Sequence, residues 1–297
     1  MLLPSKIQIS LVFFLLPIIS NNLIPVNKKQ SKEIITLTAN DVISRIKEHV
    51  TCDWRSETVD TYKAGTPETE VTGIVTTFLA TLSVLKQAKE KGCNMVITHE
   101  PTFYNHFDDK APLENDPVQK AKMKFIEDNN MVVFRFHDHW HATQPDGIYK
   151  GMIEDFGWEG YKKESDRIFN IPEITANNLA KEIGQKFNTD IIRVVGDPKI
   201  KIDKVGLVLG AAGSASHFAM FNEPGIDAVI IGEGREWETV EYVRDANEAG
   251  MPKALIIMGH ADSEESGMDY CAKWLKGFIT EIPVKFIEAG NPLWSPE

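Results

Sequence analysis

The chain has 297 residues, 42% of them hydrophobic, and a formal net charge of -11 at pH 7. This length and composition allow a sizeable buried core and exclude collagen-like, coiled-coil and low-complexity proteins. The acidic surface repels nucleic-acid phosphates, and the longest basic clusters are the pairs Lys28-Lys29 and Lys162-Lys163, so nucleic-acid binding is not expected.

The first 32 residues differ from the rest of the chain. A short segment with one positive charge (1–6) precedes an apolar run (7–19), and the polar residues 20–22 follow it. This order is typical of a secretory signal peptide over residues 1–22, with a linker over 23–32. We therefore expect an exported protein, periplasmic or secreted, whose mature form has no stable membrane span. The alternatives are an uncleaved membrane anchor, which would leave the protein membrane-anchored, and a buried N-terminal segment.

Cys52, Cys93 and Cys271 lie far apart and form no CxxC pair. They therefore predict neither a disulfide framework nor a structural zinc site. We interpret them as small buried residues. One disulfide is possible if the protein is exported, and its pairing stays open.

Helices and strands alternate through the remainder of the chain. In chain order, the pattern predicts helix 41–46, strand 71–78, helix 80–91, strand 94–98, helix 116–129, strand 131–136, helix 179–187, strands 191–195 and 205–209, a tight turn at 210–214 that enters a helix, strand 228–231, helix 238–249, strand 254–258, helix 268–278 and strand 283–287. Such alternation indicates an α/β protein. We expect two intimate lobes over residues 33–297, each with largely parallel sheet flanked by helices.

Three of the predicted strands run directly into histidine. His99 and Glu100 follow strand 94–98, the segment 137–141 with its three histidines follows strand 131–136, and His260 follows strand 254–258. Ligand sites in parallel α/β sheets form outside the carboxyl ends of the strands. The sequence therefore predicts that these imidazoles meet in one metal site.

Residue spacing suggests how these side chains are arranged. His137, His139 and His141 are spaced by two, so an extended segment would point all three to one face. His260 and Glu264 are spaced by four and share a face if a helix begins just after the strand. Imidazole together with carboxylate suits zinc, iron or manganese.

A family resemblance rests on three blocks of sequence. Residues 97–103 (ITHEPTF) resemble the Thr-His-His-Pro signature of the NGG-interacting-factor-three-like dinuclear metal-centre family, also called GTP cyclohydrolase I type 2-like. Residues 137–141 with Asp146-Gly147-Ile148 resemble its His-Thr-Asn-Leu-Asp block, and residues 259–264 its closing Gly-His-x-x-(Ser/Thr)-Glu block. The resemblance covers about residues 33–290. Two positions depart from it, because Glu100 replaces a histidine and His141 replaces an aspartate, which keeps the ligand set unchanged in kind.

The resemblance implies two divalent metal ions per chain, no inserted middle domain, and a homohexamer with its metal sites facing an inner cavity. The expected metal ligands are His99, Glu100, His137, His141, His260 and Glu264, with His137 either a ligand or a partner of one.

The function expected from this site is hydrolysis of a small polar substrate by metal-activated water, because no serine or cysteine nucleophile with a base is evident. His139 is the candidate for proton transfer, with Asp138 and Glu233 as competitors. The alternative is a non-catalytic metal-binding protein or protein-interaction scaffold. The turn at 210–214 either holds a phosphate or serves only as a turn.

Overall fold

The computed structural model describes residues 36–162 and 165–296, together with the isolated Ser10. The predicted signal peptide (1–22) and linker (23–32) lie outside the described residues. Within the described part of the chain, no helix is long and apolar enough to cross a membrane.

Twelve strands and nine α-helices make up the described fold. The strands are β1 (Leu37–Thr38), β2 (Tyr62–Ala64), β3 (Glu70–Val71), β4 (Ile74–Thr77), β5 (Met95–Thr98), β6 (Val132–Arg135), β7 (Ile168–Thr175), β8 (Arg193–Val195), β9 (Lys201–Val208), β10 (Ala228–Ile231), β11 (Ala254–Ile257) and β12 (Val284–Phe286). The helices are α1 (Ala39–His49), α2 (Leu82–Glu90), α3 (Pro117–Asp128), α4 (Asp138–Ala142), α5 (Gly147–Phe156), α6 (Ala176–Lys186), α7 (Ser214–Phe221), α8 (Glu241–Glu248) and α9 (His260–Leu275).

Two five-stranded sheets organise these elements. The first sheet has the strand order β12-β4-β5-β6-β2, and only the edge strand β2 is antiparallel to its neighbour. The second sheet has the order β7-β9-β10-β11-β8, with a parallel centre and an antiparallel strand at each edge. This arrangement confirms the predicted α/β fold with largely parallel sheets flanked by helices.

Alternate residues of the central strands face different layers, as the pleat of a strand requires. Val75 and Val96 of the first sheet pack outward against α2 and α3, whereas Ile74 and Ile97 face inward. Alternate residues of the second sheet also face different layers, and α7 and α8 pack on its outer side. The inward faces of both sheets share one central core with α1, α5, α6 and α9.

Helices α5 and α9 approach each other closely within this central core. A Cβ atom on Gly151 would lie 2.3 Å from the carbonyl oxygen of Ser266, and one on Gly267 would lie 2.5 Å from Cα of Ile148. Only glycine fits at such a contact. The close packing fixes α9, whose first turn carries His260 and Glu264.

Several predicted elements need correction. The extended conformation expected for residues 137–141 was wrong, because Asp138–Ala142 is the helix α4. The single strand 71–78 is two strands, β3 and β4. Helix α9 begins at His260, well before residue 268, and the elements α5, β2 and β7 were not predicted. In the described residues Cys52, Cys93 and Cys271 are unpaired.

Candidate metal centre

Three strand ends bring the predicted ligands together. His99 follows β5, His137 precedes α4 at the end of β6, and His260 opens α9 directly after β11. Gly259, with a φ of 104°, makes the sharp turn from β11 into α9. The i, i+4 relation of His260 and Glu264 within α9 places their side chains 3.2 Å apart, Nε2 to Oε2.

His99 and Glu264 form the buried middle of the cluster. The Nδ1 atom of His99 lies 3.3 Å from the carbonyl oxygen of Phe136 and donates to it, which leaves Nε2 as the acceptor. That Nε2 atom and Oε2 of Glu264 lie 3.5 Å apart and are both buried; neither makes a hydrogen bond of good geometry with the described residues, and the nearest other group to Oε2 is Nε2 of His260 at 3.2 Å. Two unsatisfied polar atoms are costly to bury, so the donor set fits a cation shared between them.

The imidazoles of His137 and His141 are also held through their Nδ1 atoms, in their case by carboxylates. Nδ1 of His137 lies 3.0 Å from Oδ1 of Asp138, and Nδ1 of His141 lies 3.1 Å from Oδ2 of Asp146. A carboxylate on Nδ1 fixes the tautomer and orients the Nε2 lone pair, as is usual for metal-ligating histidine.

Glu100 completes the cluster from the other side. Its Oε1 lies 3.6 Å from Nε2 of His260 and 3.7 Å from Nε2 of His137. Within this cluster, two sets of three residues have ligand atoms that lie within 4.8 Å of one another in each set. One set is His99, His137 and His141, and the other is His99, Glu100 and Glu264. The structure thus brings all six predicted metal ligands into one cluster.

The electrostatics of the cluster favour a positive charge at one end. Burial, reinforced by His137 and His141, lowers the pKa of His99 well below 6.5. Burial opposes the charged form of His260 as well, but Glu100 and Glu264 outweigh it and raise the pKa of His260 to about 10. The two carboxylates therefore attract either a proton or a metal ion.

His139 does not join the cluster, so the prediction that it faces the other histidines was wrong. The helical turn of α4 directs it to the opposite side, where Nδ1 lies 2.6 Å from Oδ2 of Asp60 and Nε2 accepts from the amide of Arg55 at 2.9 Å. Its ring stacks on Trp54 with the centroids 3.8 Å apart. Both ring nitrogens are engaged, which suits a positioning role rather than proton transfer.

Two residues of the site escaped the sequence reasoning. Asp60 accepts hydrogen bonds from the amides of His137, Asp138 and His139, at 2.7 to 2.9 Å, and so holds the start of α4. Arg135 is fully buried and donates from Nη2 to Oε2 of Glu100 at 3.2 Å. No local pattern marks either residue, because each acts across a long separation in the chain.

The turn at 210–214 contributes to the site through its first glycine. Gly210 has a φ of 65°, and a Cβ atom there would lie 2.1 Å from Oε1 of Glu264. The turn therefore makes room for a ligand carboxylate, and Ser214 opens α7 as predicted. Glu233 lies near the site, with Oε2 3.7 Å from Nδ1 of His260.

The chain is similar in sequence and in fold to several known proteins. The chain is 25% identical over 232 residues to a Clostridium acetobutylicum protein named GTP cyclohydrolase 1 type 2 homolog, which covers 74% of this chain and 82% of that protein. The fold of the present chain is similar to that of Staphylococcus aureus protein SA1388 (TM-score 0.68, 17% identity, 88% of this chain and 99% of that chain). It is also similar to that of a Bacillus cereus protein related to NIF3 (TM-score 0.68, 13% identity, 88% and 99%). The family model described as Duf34/NIF3 (NGG1p interacting factor 3) matches residues 37–292, and the chain therefore belongs to this family.

Proposed function

We propose that the chain binds two divalent metal ions, zinc, iron or manganese, and hydrolyses a small polar substrate with water as the nucleophile. The observation that carries the proposal is the buried pair of unpartnered atoms, Nε2 of His99 and Oε2 of Glu264, around which the other four ligands converge. His99 belongs to both ligand groups, and its free Nε2 would bind one ion, so the two groups form one cluster in which the other residues would hold the second ion.

The chain's own residues prepare the site for this chemistry. Divalent ions, when bound, lower the pKa of water and polarise a carbonyl or phosphoryl group. Arg135 engages one oxygen of Glu100 and leaves Oε1 facing the centre. Asp138 and Asp146 hold their imidazoles with Nε2 free to bind. Because Arg135, Asp138 and Asp146 already orient these side chains, the side chains need little reorganisation to bind metal ions.

Elemental analysis of freshly purified protein tests the metal content. We expect close to two metal ions per chain, and the variants His99→Ala and His260→Ala should each lose at least one. The control is His49→Ala, because His49 is exposed and stacks on Phe278 outside the cluster. Absence of metal in the fresh protein, with no uptake on titration, would refute the proposal.

A hydrolase panel on metal-loaded protein tests the reaction class. The panel includes an amide, a cyclic amidine and a phosphoester, and also GTP because of the name of the Clostridium acetobutylicum relative. We expect slow to moderate turnover that disappears in His260→Ala. Full metal occupancy without turnover on any substrate would favour a non-catalytic metal-binding protein or interaction scaffold instead.

A further inference from the structure

A pocket of about 610 Å³ opens beside the metal centre and includes two of its ligands, Glu100 and His260. Its walls are largely apolar, formed by Phe78, Leu79, Pro101, Tyr104, Pro292 and Leu293. A small molecule with an apolar body can lie against these walls while its polar end reaches the ligands.

A buried lysine lines the same pocket. Lys122, from helix α3, is only 3% exposed, and its Nζ donates to the carbonyl oxygen of Thr102 at 2.6 Å. The ring of Tyr104 lies 5.1 Å from Nζ. No carboxylate of the described residues lies within 4.0 Å of it, which is unusual for a buried ammonium group.

The acidic groups nearby already have partners. Oδ1 of Asp108 accepts from the amides of Thr102 and Phe103, and Oδ2 lies 3.3 Å from Nζ of Lys63. Oε2 of Glu100 accepts from Arg135. Asp108 attracts the ammonium group of Lys122 at longer range, but no carboxylate of the described residues forms an ion pair with it.

Burial makes this charge costly to the free protein. It lowers the pKa of Lys122 to about 8, so the ammonium form still predominates at neutral pH. A buried ammonium with one acceptor has unused donors, and an anion in the pocket would satisfy them with charge-assisted hydrogen bonds.

We propose that Lys122 binds an anionic group, a carboxylate or a phosphoryl group, of a small molecule whose apolar body lies against the pocket walls. In the proposed hydrolase this molecule is the substrate, and its scissile bond lies at Glu100 and His260. The identification as substrate rests on the proposed function, whereas anion binding by Lys122 does not.

Calorimetric titration with three probes tests the inference: benzoate, phenylphosphonate and the neutral benzamide. Each is titrated into metal-loaded and into metal-free protein, because the metal-free form removes direct coordination of the anion. We expect Lys122→Met to weaken binding of the two anions at least about tenfold and to leave benzamide unchanged. Lys122→Arg should keep most of the affinity, and Lys120→Met is the control, since Lys120 is exposed on the same helix and donates to Asn115.

If Lys122→Met weakens the binding of phenylphosphonate more than that of benzoate, the anionic group is a phosphoryl group. If it weakens the binding of benzoate more, the anionic group is a carboxylate. If metal-free wild type bound neither benzoate nor phenylphosphonate more tightly than benzamide, the inference would be overturned even if Lys122→Met failed to fold. Unchanged anion affinity in a folded Lys122→Met variant would overturn it too. Anion binding that depends on Lys122, with no turnover of any substrate, would instead contradict only the proposed hydrolase.

Discussion

Asp60 shows how a single carboxylate can organise histidine ligands without touching a metal. It engages three consecutive amides at the start of α4 and also Nδ1 of His139. Because α4 presents His137 and His141 to the cluster, Asp60 sets the position of two ligands at once. His139 stacks on Trp54 and completes this support.

We predict that Asp60→Asn weakens metal binding about 10- to 100-fold, the usual effect of losing a group that orients metal ligands. The amide keeps the size of the side chain but cannot accept all four hydrogen bonds, so the free energy of unfolding should also fall by about 2 to 4 kcal/mol. Metal titration and chemical denaturation measure the two effects. Asp53→Asn at an exposed neighbouring position is the control, and metal affinity equal to wild type in Asp60→Asn would contradict the role.

The residues of the candidate metal centre were predictable from sequence where they directly follow a strand. His99, Glu100 and His260 were found in this way, and Glu264 follows from the helical spacing. Asp60 could not be found, because its partners lie more than seventy positions along the chain and only the folded sheet brings them together. The orientation expected for His139 was wrong for a local reason, since three histidines spaced by two match an extended strand better than a short helix.

Helices α5 and α9 connect the two sheets. α9 carries His260 and Glu264 in its first turn, and its later residues pack against α5 in the central core. Helix α5 was not predicted, because Gly147 and Gly151 lower the helix propensity of this segment. Both glycines are required by close packing, which only the tertiary structure reveals.

Gly267→Ala tests whether this contact supports the metal centre. A Cβ atom would lie 2.5 Å from Cα of Ile148, so the helices must move apart. We expect a loss of about 1 to 3 kcal/mol in the free energy of unfolding, the usual cost of overpacking, together with weaker metal binding. Gly160→Ala is the control, since no atom of the other described residues, its two chain neighbours aside, lies within 4 Å of its Cβ position. A Gly267→Ala protein as stable as wild type would contradict the close contact.

The edge strands illustrate why the remaining elements were missed. β2 has three residues, and β7 contains Pro172, which is tolerated at a sheet edge but weakens the strand pattern. The central strands β5, β6, β10 and β11 are short, buried and largely apolar, and their prediction was correct. The fold class was therefore predictable from the buried strands, whereas the edges depend on pairing that the local sequence does not specify.

We propose that the protein is exported with removal of its N-terminal signal peptide and that it assembles into a homohexamer. The apolar run 7–19 supports the first statement, and family membership supports the second. Mass spectrometry should find a mature N-terminus near residue 21, and light scattering should report six chains per particle. Intact Met1 on the soluble protein, or a stable monomer at micromolar concentration, would contradict the corresponding statement.

The pairing of β12 with β4 has a consequence for protein synthesis. β12 comes after every other strand in the chain, yet it completes the outer edge of the first sheet beside β4. While the ribosome makes the second sheet, β4 therefore stays an unpaired edge, the kind of surface that recruits wrong partners. The first sheet can be completed only after residue 286 has left the exit tunnel, so the order in which the sheets are translated differs from the order in which they are completed.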